Sequence, residues 1–382
     1  MKLNKTMGRV ATTLVATAML ASLAAPAYAY EVVTDSNTGS SITTEKPYQE
    51  GDSFYITKYL TKDAKTMVPK IDFEFEVTPV TGVSGTRNGA PLKNGIPNAV
   101  TPDASEGKAS FAPGETLDQS TELFTKVKFN VDLEKFEETG VGVYKYSIKE
   151  KDFASGTGIT KDTNTLDLYV YIANDDVNGG LKVAYTELVD PNGGEDSSEI
   201  KMDSFTNEYG KYADDLNDLV VYKVLSGDAA VMGDEFEFTV TINGETGEKY
   251  YVELGTYGVS EDNETAHFIP NGQSVVWESG KAETVTLGNN DAFKVYSLDK
   301  TDSYTVEETD DKRADYTVEI DNVKSENYTA TGTLNNDKTI EFDNHKQFTT
   351  PTGIVMNVAP YALLVVVAAA GCFVFMRKRR ED

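Results

Sequence analysis

Two lysines occupy positions where a lysine is costly. In the stretch Phe54-Tyr55-Ile56-Thr57-Lys58-Tyr59-Leu60, alternation puts Lys58 on the face of Phe54, Ile56 and Leu60. Lys223 shares a face with Leu219, Val221 and Leu225 in the same way. An ammonium buried without a partner is expensive, so lysine is rarely found fully buried alone. The same parity sets Glu150 beside Tyr144, Tyr146 and Ile148, and Glu308 beside Tyr304 and Val306. Asn207 follows Phe205 by two positions, and Asn344 follows Phe342 by two. Lys, Glu and Asn therefore recur in one order and one strand context. Any one of them alone reads as a strand end with its polar tip in water; six inward-facing polar residues in a duplicated order argue for chemistry.

Burial lowers a lysine pKa and leaves a nucleophilic neutral amine, and it raises a glutamate pKa and leaves a carboxylic acid. The acid is expected to hydrogen-bond the Asn side-chain carbonyl and polarise it, as an electrophilic donor does in an enzyme site. Attack of the amine on Asn Cγ then expels ammonia and leaves an uncharged amide between the two side chains. Such a link also removes the buried charge.

The elements that position these residues read as strands. Phe73, Phe75 and Val77 alternate, as do Val127, Phe129, Val131 and Leu133, and Leu168, Val170 and Ile172. Asp176-Val177-Asn178-Gly179-Gly180 turns the chain into Leu181, Val183 and Tyr185. Period-two runs bounded by Gly, Asn and Asp, in a chain with 21 Tyr and 17 Phe, indicate antiparallel sheets. A second unit repeats the grammar: Asp72-Phe73-Glu74-Phe75-Glu76-Val77 recurs as Glu235-Phe236-Glu237-Phe238-Thr239-Val240. Polar, acidic Tyr209–Asp218 reads as the linker. The expectation is all-β, with two tandem β-sandwich domains at residues 51–209 and 210–348. Residues 30–50 read as a flexible leader, and residues 81–120, rich in Gly, Pro, Asn and Ser, as a long exposed excursion.

Both chain ends speak of export. Lys2, Lys5 and Arg9 precede an apolar run from Val10 to Leu23, and Ala27-Tyr28-Ala29 offers a cleavage site, so residues 1–29 read as a signal peptide. At the other end Pro351-Thr352-Gly353 stands before an uncharged run, Ile354 to Met376, and then Arg377-Lys378-Arg379-Arg380. A run of that length can span a bilayer as a helix, with the basic tail of residues 377–382 cytoplasmic. A cleavable peptide, a stop-transfer helix and a positive tail, in this order, read as a sortase sorting signal over residues 349–353. Cleavage falls between Thr352 and Gly353.

The formal charge is −27, and both end segments are positive, so the exported part is more acidic still. This excludes nucleic acid as a partner. The single cysteine, Cys372, lies in the apolar run, so disulfides cannot staple the domains. His267 and His345 are the only histidines, and no nucleophile–His pair, metal-ligand spacing or EF-hand spacing stands out. No metal and no cofactor are expected, and the acidic run around Glu307, Glu308, Asp310 and Asp311 reads as a solvated loop.

The chain resembles the FctA-type T-antigen backbone pilins of Gram-positive bacteria along most of its exported length. The matching stretches are Ile56-Thr57-Lys58, Asp72-Phe73-Glu74-Phe75, Gly142–Glu150 and Phe205-Thr206-Asn207, then Val221–Gly227, Tyr304–Glu308 and Phe342-Asp343-Asn344, running into Phe348 and Pro351-Thr352-Gly353. The resemblance implies two Ig-like, CnaB-type domains. In the first, Lys58 is joined to Asn207 with Glu150 assisting; in the second, Lys223 is joined to Asn344 with Glu308 assisting. It also implies a lysine that receives the next subunit. Lys201 lies closest to the family's position, and Lys70, in Met67-Val68-Pro69-Lys70, is the runner-up.

The expected function is a major pilus subunit, a substrate rather than an enzyme. Its partners are a pilus-type (class C-like) sortase and further copies of itself, with accessory pilins, peptidoglycan and host surface ligands beyond them. The rival is a wall-anchored adhesin that is never polymerised; the sorting signal and sandwich domains fit it equally well, and a receiving lysine separates the two.

Overall fold

The computed structural model describes residues 33–34, 41–42, 48–191, 200–212, 215–260 and 263–348. Among these residues the chain is all-β apart from short 3-10 turns, and no helix is long and apolar enough to cross a membrane. The signal peptide, residues 351–382 with Thr352 and Gly353, and most of the leader lie outside the described residues.

Two apolar cores form where the alternation places them. The first packs Phe54, Ile56, Leu60, Phe73, Phe75, Phe129, Tyr146 and Ile148 between two sheets. In one sheet the order is Ile159–Thr160, Ser204–Tyr209, Ser53–Thr61, Glu122–Val131 and Val100–Pro102. In the other it is Ile200–Met202, Leu181–Asp190, Thr165–Asn174, Gly142–Glu150, Ile71–Pro79 and Lys108–Phe111. The second core packs Leu219, Val221, Leu225, Phe236, Phe238, Val295, Val306 and Phe342. It lies between a seven-stranded and a four-stranded sheet, and Asn217–Ser226 and Lys338–His345 are neighbours in the larger one.

One feature of the topology is shared. Each sandwich sets its opening strand parallel to its closing strand: Ser53–Thr61 beside Ser204–Tyr209, and Asn217–Ser226 beside Lys338–His345. Nearly all other pairs are antiparallel. A parallel pair needs a long connection, and here the connection is the rest of the domain. The first and last strands are thereby brought into one ladder.

Two expectations are corrected. Residues 81–120 are only in part an exposed excursion. They contain strands at Thr86–Arg87, Ala90–Asn94, Val100–Pro102 and Lys108–Phe111. Ala99, Val100, Ala109 and Phe111 are buried in the first core. Apolar residues spaced among Gly and Pro were hidden from any periodicity, and short strands supply too few of them to show one. The leader is shorter than expected, because Tyr48–Glu50 pairs with Ser53–Thr61 across a turn at Gly51. Gln49 donates from Nε2 to the carbonyl of Val183 at 2.7 Å.

Candidate functional site

Lys58 and Asn207 face each other across the parallel pair, because Lys58 is in register with Phe205 and Asn207 with Leu60. Lys223 is in register with Phe342, and Asn344 with Leu225. The offset is the same in both sandwiches. Glu150 arrives from the opposite sheet at the end of Gly142–Glu150, in register with Phe75; Glu308 ends Ser303–Glu308, in register with Phe238. The six side chains are 0% or 1% exposed.

Aromatic rings wall both sites. Lys58 Nζ lies 4.7 Å from the centre of the Phe73 ring, and Lys223 Nζ 4.9 Å from that of Phe236. Phe75 packs on Phe205 at 5.2 Å, and Phe238 on Phe342 at 5.1 Å. The repeated Phe-Glu-Phe phrase of the sequence is thus the lid of each lysine. Its dry faces raise the cost of the ammonium while a cation–π contact offsets part of it.

In the first site Lys58 Nζ donates to Asn207 Oδ1 at 2.6 Å and lies 2.8 Å from Glu150 Oε2. Asn207 Nδ2 donates to Glu150 Oε1 at 2.8 Å. Burial lowers the Lys58 pKa, and Glu150 opposes that shift. In the second site Asn344 Nδ2 donates to Glu308 Oε1 at 2.6 Å, but Lys223 Nζ stands 3.8 Å from Glu308 Oε2. It donates instead to the carbonyls of Phe342, at 3.1 Å, and Val224, at 3.3 Å. Burial brings Lys223 down to about 8 and pushes Glu308 up.

The expected contact between acid and Asn carbonyl is therefore not what the structure holds. In both sites the glutamate accepts from the Asn amide nitrogen, the group that leaves as ammonia if the amide forms. A lysine can only donate, so in the first site it takes the Asn carbonyl oxygen and leaves the nitrogen to the acid. The glutamate then touches both the attacking and the leaving nitrogen.

Asp162 is a participant that the sequence did not reveal. Its backbone N–H donates to Asn207 Oδ1 at 2.9 Å. Its carboxylate accepts from the N–H groups of Thr206, at 2.9 Å, and Asn164, also at 2.9 Å. The loop is thereby pinned to the strand that carries Asn207. In the second site Asn344 Oδ1 has no hydrogen-bond partner among the described residues. A backbone donor carries no residue-type signature, and only the Lys-Asp-Thr-Asn turn before Thr165 marks the place.

The two lysines considered for receiving another subunit sit differently. Lys201 is exposed on Ile200–Met202, a strand at the edge of its sheet, with Nζ 3.7 Å from Glu187 Oε1. Glu187 is held in place by Arg87 Nε at 2.9 Å. Lys70 Nζ donates to the carbonyl of Thr246 at 2.6 Å, so it is engaged between the two sandwiches.

Residues 54–210 match the family model of the Spy0128-like isopeptide containing domain, FctA. Residues 217–346 match a domain of unknown function, DUF7601. The curated protein "Pilin" of Streptococcus pyogenes serotype M1 is 25% identical over 349 residues, which cover 86% of this chain and 91% of the relative. The crystal structure of the major pilin from Streptococcus pyogenes aligns with 78% of this chain and 100% of its own, at 21% identity and a TM-score of 0.53. The major pilin T3.2 of Streptococcus pyogenes serotype GAS13637 aligns with 78% of this chain and 99% of its own, at 21% identity and a TM-score of 0.53. The two structures share the fold of this chain.

Proposed function

We infer that this chain is a backbone pilin of the FctA type, a structural subunit of a pilus rather than an enzyme. The observation that carries the reading is the doubled, fully buried Lys–Glu–Asn trio across each parallel strand pair. The family match over residues 54–210 and the pilin relative support it. The two sandwiches are read as CnaB-type, Ig-like domains at residues 51–209 and 210–348.

Each trio is assigned an internal, single-turnover reaction. A neutral lysine Nζ attacks Asn Cγ; the Nζ–Cγ bond forms and the Cγ–Nδ2 bond breaks. The glutamate takes a proton from Nζ and delivers one to Nδ2, which leaves as ammonia. Glu150, 2.8 Å from Lys58 Nζ and 2.8 Å from Asn207 Nδ2, is placed for that transfer. The products, Lys58–Asn207 and Lys223–Asn344, tie the first strand of each domain to its last. The first spans 149 sequence positions; by analogy with loop closure by a disulfide, each link stabilises by roughly 5 kcal/mol.

Assembly is assigned to the chain ends. After export under the signal peptide, residues 354–376 hold the chain in the membrane. A pilus-type sortase attacks the Thr352 carbonyl, releases Gly353 onward, and passes the acyl group to a lysine of another copy. Lys201 is the chosen acceptor because it is exposed on an edge strand, whereas Lys70 is engaged by Thr246. The finished fibre lies on the cell surface, where accessory pilins, peptidoglycan and host ligands become available to it.

The deciding experiment expresses the chain with its cognate sortase and resolves cell-wall extracts by denaturing electrophoresis. A high-mass ladder that Lys201→Ala abolishes is the expected result. A ladder unchanged in both Lys201→Ala and Lys70→Ala, or no ladder at all, overturns the polymer.

A further inference from the structure

The second sandwich buries three more carboxylates, away from its trio. Glu248, Asp299 and Asp302 are 7%, 3% and 1% exposed, and one ligand oxygen from each lies within 4.8 Å of the others. Asp299 and Asp302 belong to the turn between Asp291–Leu298 and Ser303–Glu308, and Glu248 immediately precedes Lys249–Ser260. Much of their bonding capacity is engaged by neutral donors. Asp299 Oδ1 accepts from the Thr301 N–H at 2.7 Å and hydroxyl at 2.6 Å. Asp302 Oδ2 accepts from the Asp299 N–H at 3.0 Å. Glu248 Oε2 accepts from the Glu245 N–H at 2.9 Å and the Tyr250 hydroxyl at 3.2 Å.

Asp302 Oδ1 is different: it is buried and makes no well-formed hydrogen bond among the described residues. It is also aimed into the group. A Cβ at Gly244 would fall 2.2 Å from Asp302 Oδ1 and 2.5 Å from Glu248 Oε2, so only glycine leaves the space between these two carboxylates. The Tyr250 hydroxyl borders the same space and faces both Glu248 and Asp302, and its one proton can serve only one of them. A buried acceptor left unmade costs on the order of 1–3 kcal/mol, more when charged, and three carboxylates together repel.

We propose that Glu248, Asp299 and Asp302 bind one divalent cation of the calcium type. All three donors are hard oxygens, with no nitrogen or sulfur among them, which suits calcium over zinc or copper. The turn with Asp299 and Asp302 and the entry to Lys249–Ser260 at Glu248 supply donors from separate segments, so the ion clamps one to the other. Thr246, two residues before Glu248, accepts from Lys70 Nζ, and Ser297, two residues before Asp299, pairs with the Thr66 hydroxyl. The ion therefore sits at the joint between the sandwiches, beside Tyr209 on the closing strand of the first. Glu248 is separated from the aspartates by five tens of residues, which is why no spacing in the sequence showed the site.

The test uses the purified full chain, stripped with EDTA and titrated with terbium under tyrosine excitation, then with calcium and magnesium by calorimetry. The expected result is tyrosine-sensitised luminescence that saturates at one ion per chain and is displaced by calcium at lower concentration than by magnesium. Asp302→Asn and Glu248→Gln each weaken calcium at least about tenfold. Should those variants fail to fold, the double variant Tyr209→Phe and Tyr250→Phe keeps all three carboxylates and loses the nearest sensitisers. It is expected to retain calcium and lose most of the luminescence. No saturable binding by the unmodified chain, full affinity in both carboxylate variants, or undiminished luminescence in the tyrosine variant overturns the proposal.

Discussion

The two trios share their strands, register and aromatic walls, yet their lysines are held differently. Lys58 is gripped by its own partners, Asn207 Oδ1 at 2.6 Å and Glu150 Oε2 at 2.8 Å. Lys223 leans on backbone carbonyls and stands 3.8 Å from Glu308 Oε2. Asn207 Oδ1 has a backbone donor from Asp162, whereas Asn344 Oδ1 has no partner among the described residues. Burial lowers both lysines, but only in the first site do hydrogen bonds from Lys58 and Asp162 also hold the Asn carbonyl; in the second, burial lowers Lys223 to about 8 and raises Glu308. The proposed bond would then be approached from two sides: a polarised carbonyl in the first sandwich, a readily neutral amine in the second.

The largest expected effect concerns both sites alike. The exported region should weigh two ammonia molecules less than its sequence, and Glu150→Ala or Glu308→Ala should each restore one. A full sequence mass would remove both assignments. Each variant should also melt about 10–20 °C lower, from a loss of roughly 5 kcal/mol at the few degrees per kcal/mol expected for domains of this size.

A second prediction separates the sites by rate. Asp162→Pro deletes the N–H that faces Asn207 Oδ1, and loss of one such donor costs about a hundredfold or more in comparable reactions. In freshly translated chain, ammonia loss from the first sandwich should slow by that order, and peptide mapping should find the second unaffected. Asp162→Ala keeps the N–H and frees only the loop, so its slowing should be smaller. Equal rates for both variants and the parent would show that Asp162 plays no part.

The smallest effect is a pH dependence confined to the second site. Asn344→Ala leaves Lys223 unreacted and buried. Its folded pKa, about 8, lies below the 10.5 of a free lysine, so the unfolded chain binds more protons between those values. Stability of this variant should rise with pH from about 8 toward 10, relative to the parent, whose linked lysine does not titrate. A gap between variant and parent that stays constant over this window would contradict a depressed Lys223.

Much of this was legible in the chain as written. The all-β character followed from period-two alternation, and the six residues of the trios from parity violations repeated in order. Lysine on an apolar face is conspicuous because its burial is costly, so sequence and energetics point to the same positions. The segment 81–120 was misjudged because its strands are two to five residues long and interleaved with Gly and Pro. The orientation of each Asn amide was also misjudged, since it depends on which neighbour donates and which accepts.

The sequence by itself determined the paired placement: which lysine, glutamate and asparagine lie inward, and that two sandwiches repeat them. Side-chain parity is a local property of a strand, so it survives without knowledge of the fold. Only the tertiary structure decided what each site does with the same three residues. The Asp162 N–H, the distance between Lys223 and Glu308, and the meeting of Glu248 with Asp299 and Asp302 all depend on segments far apart in the chain. Their contacts are made by packing, which no local pattern encodes.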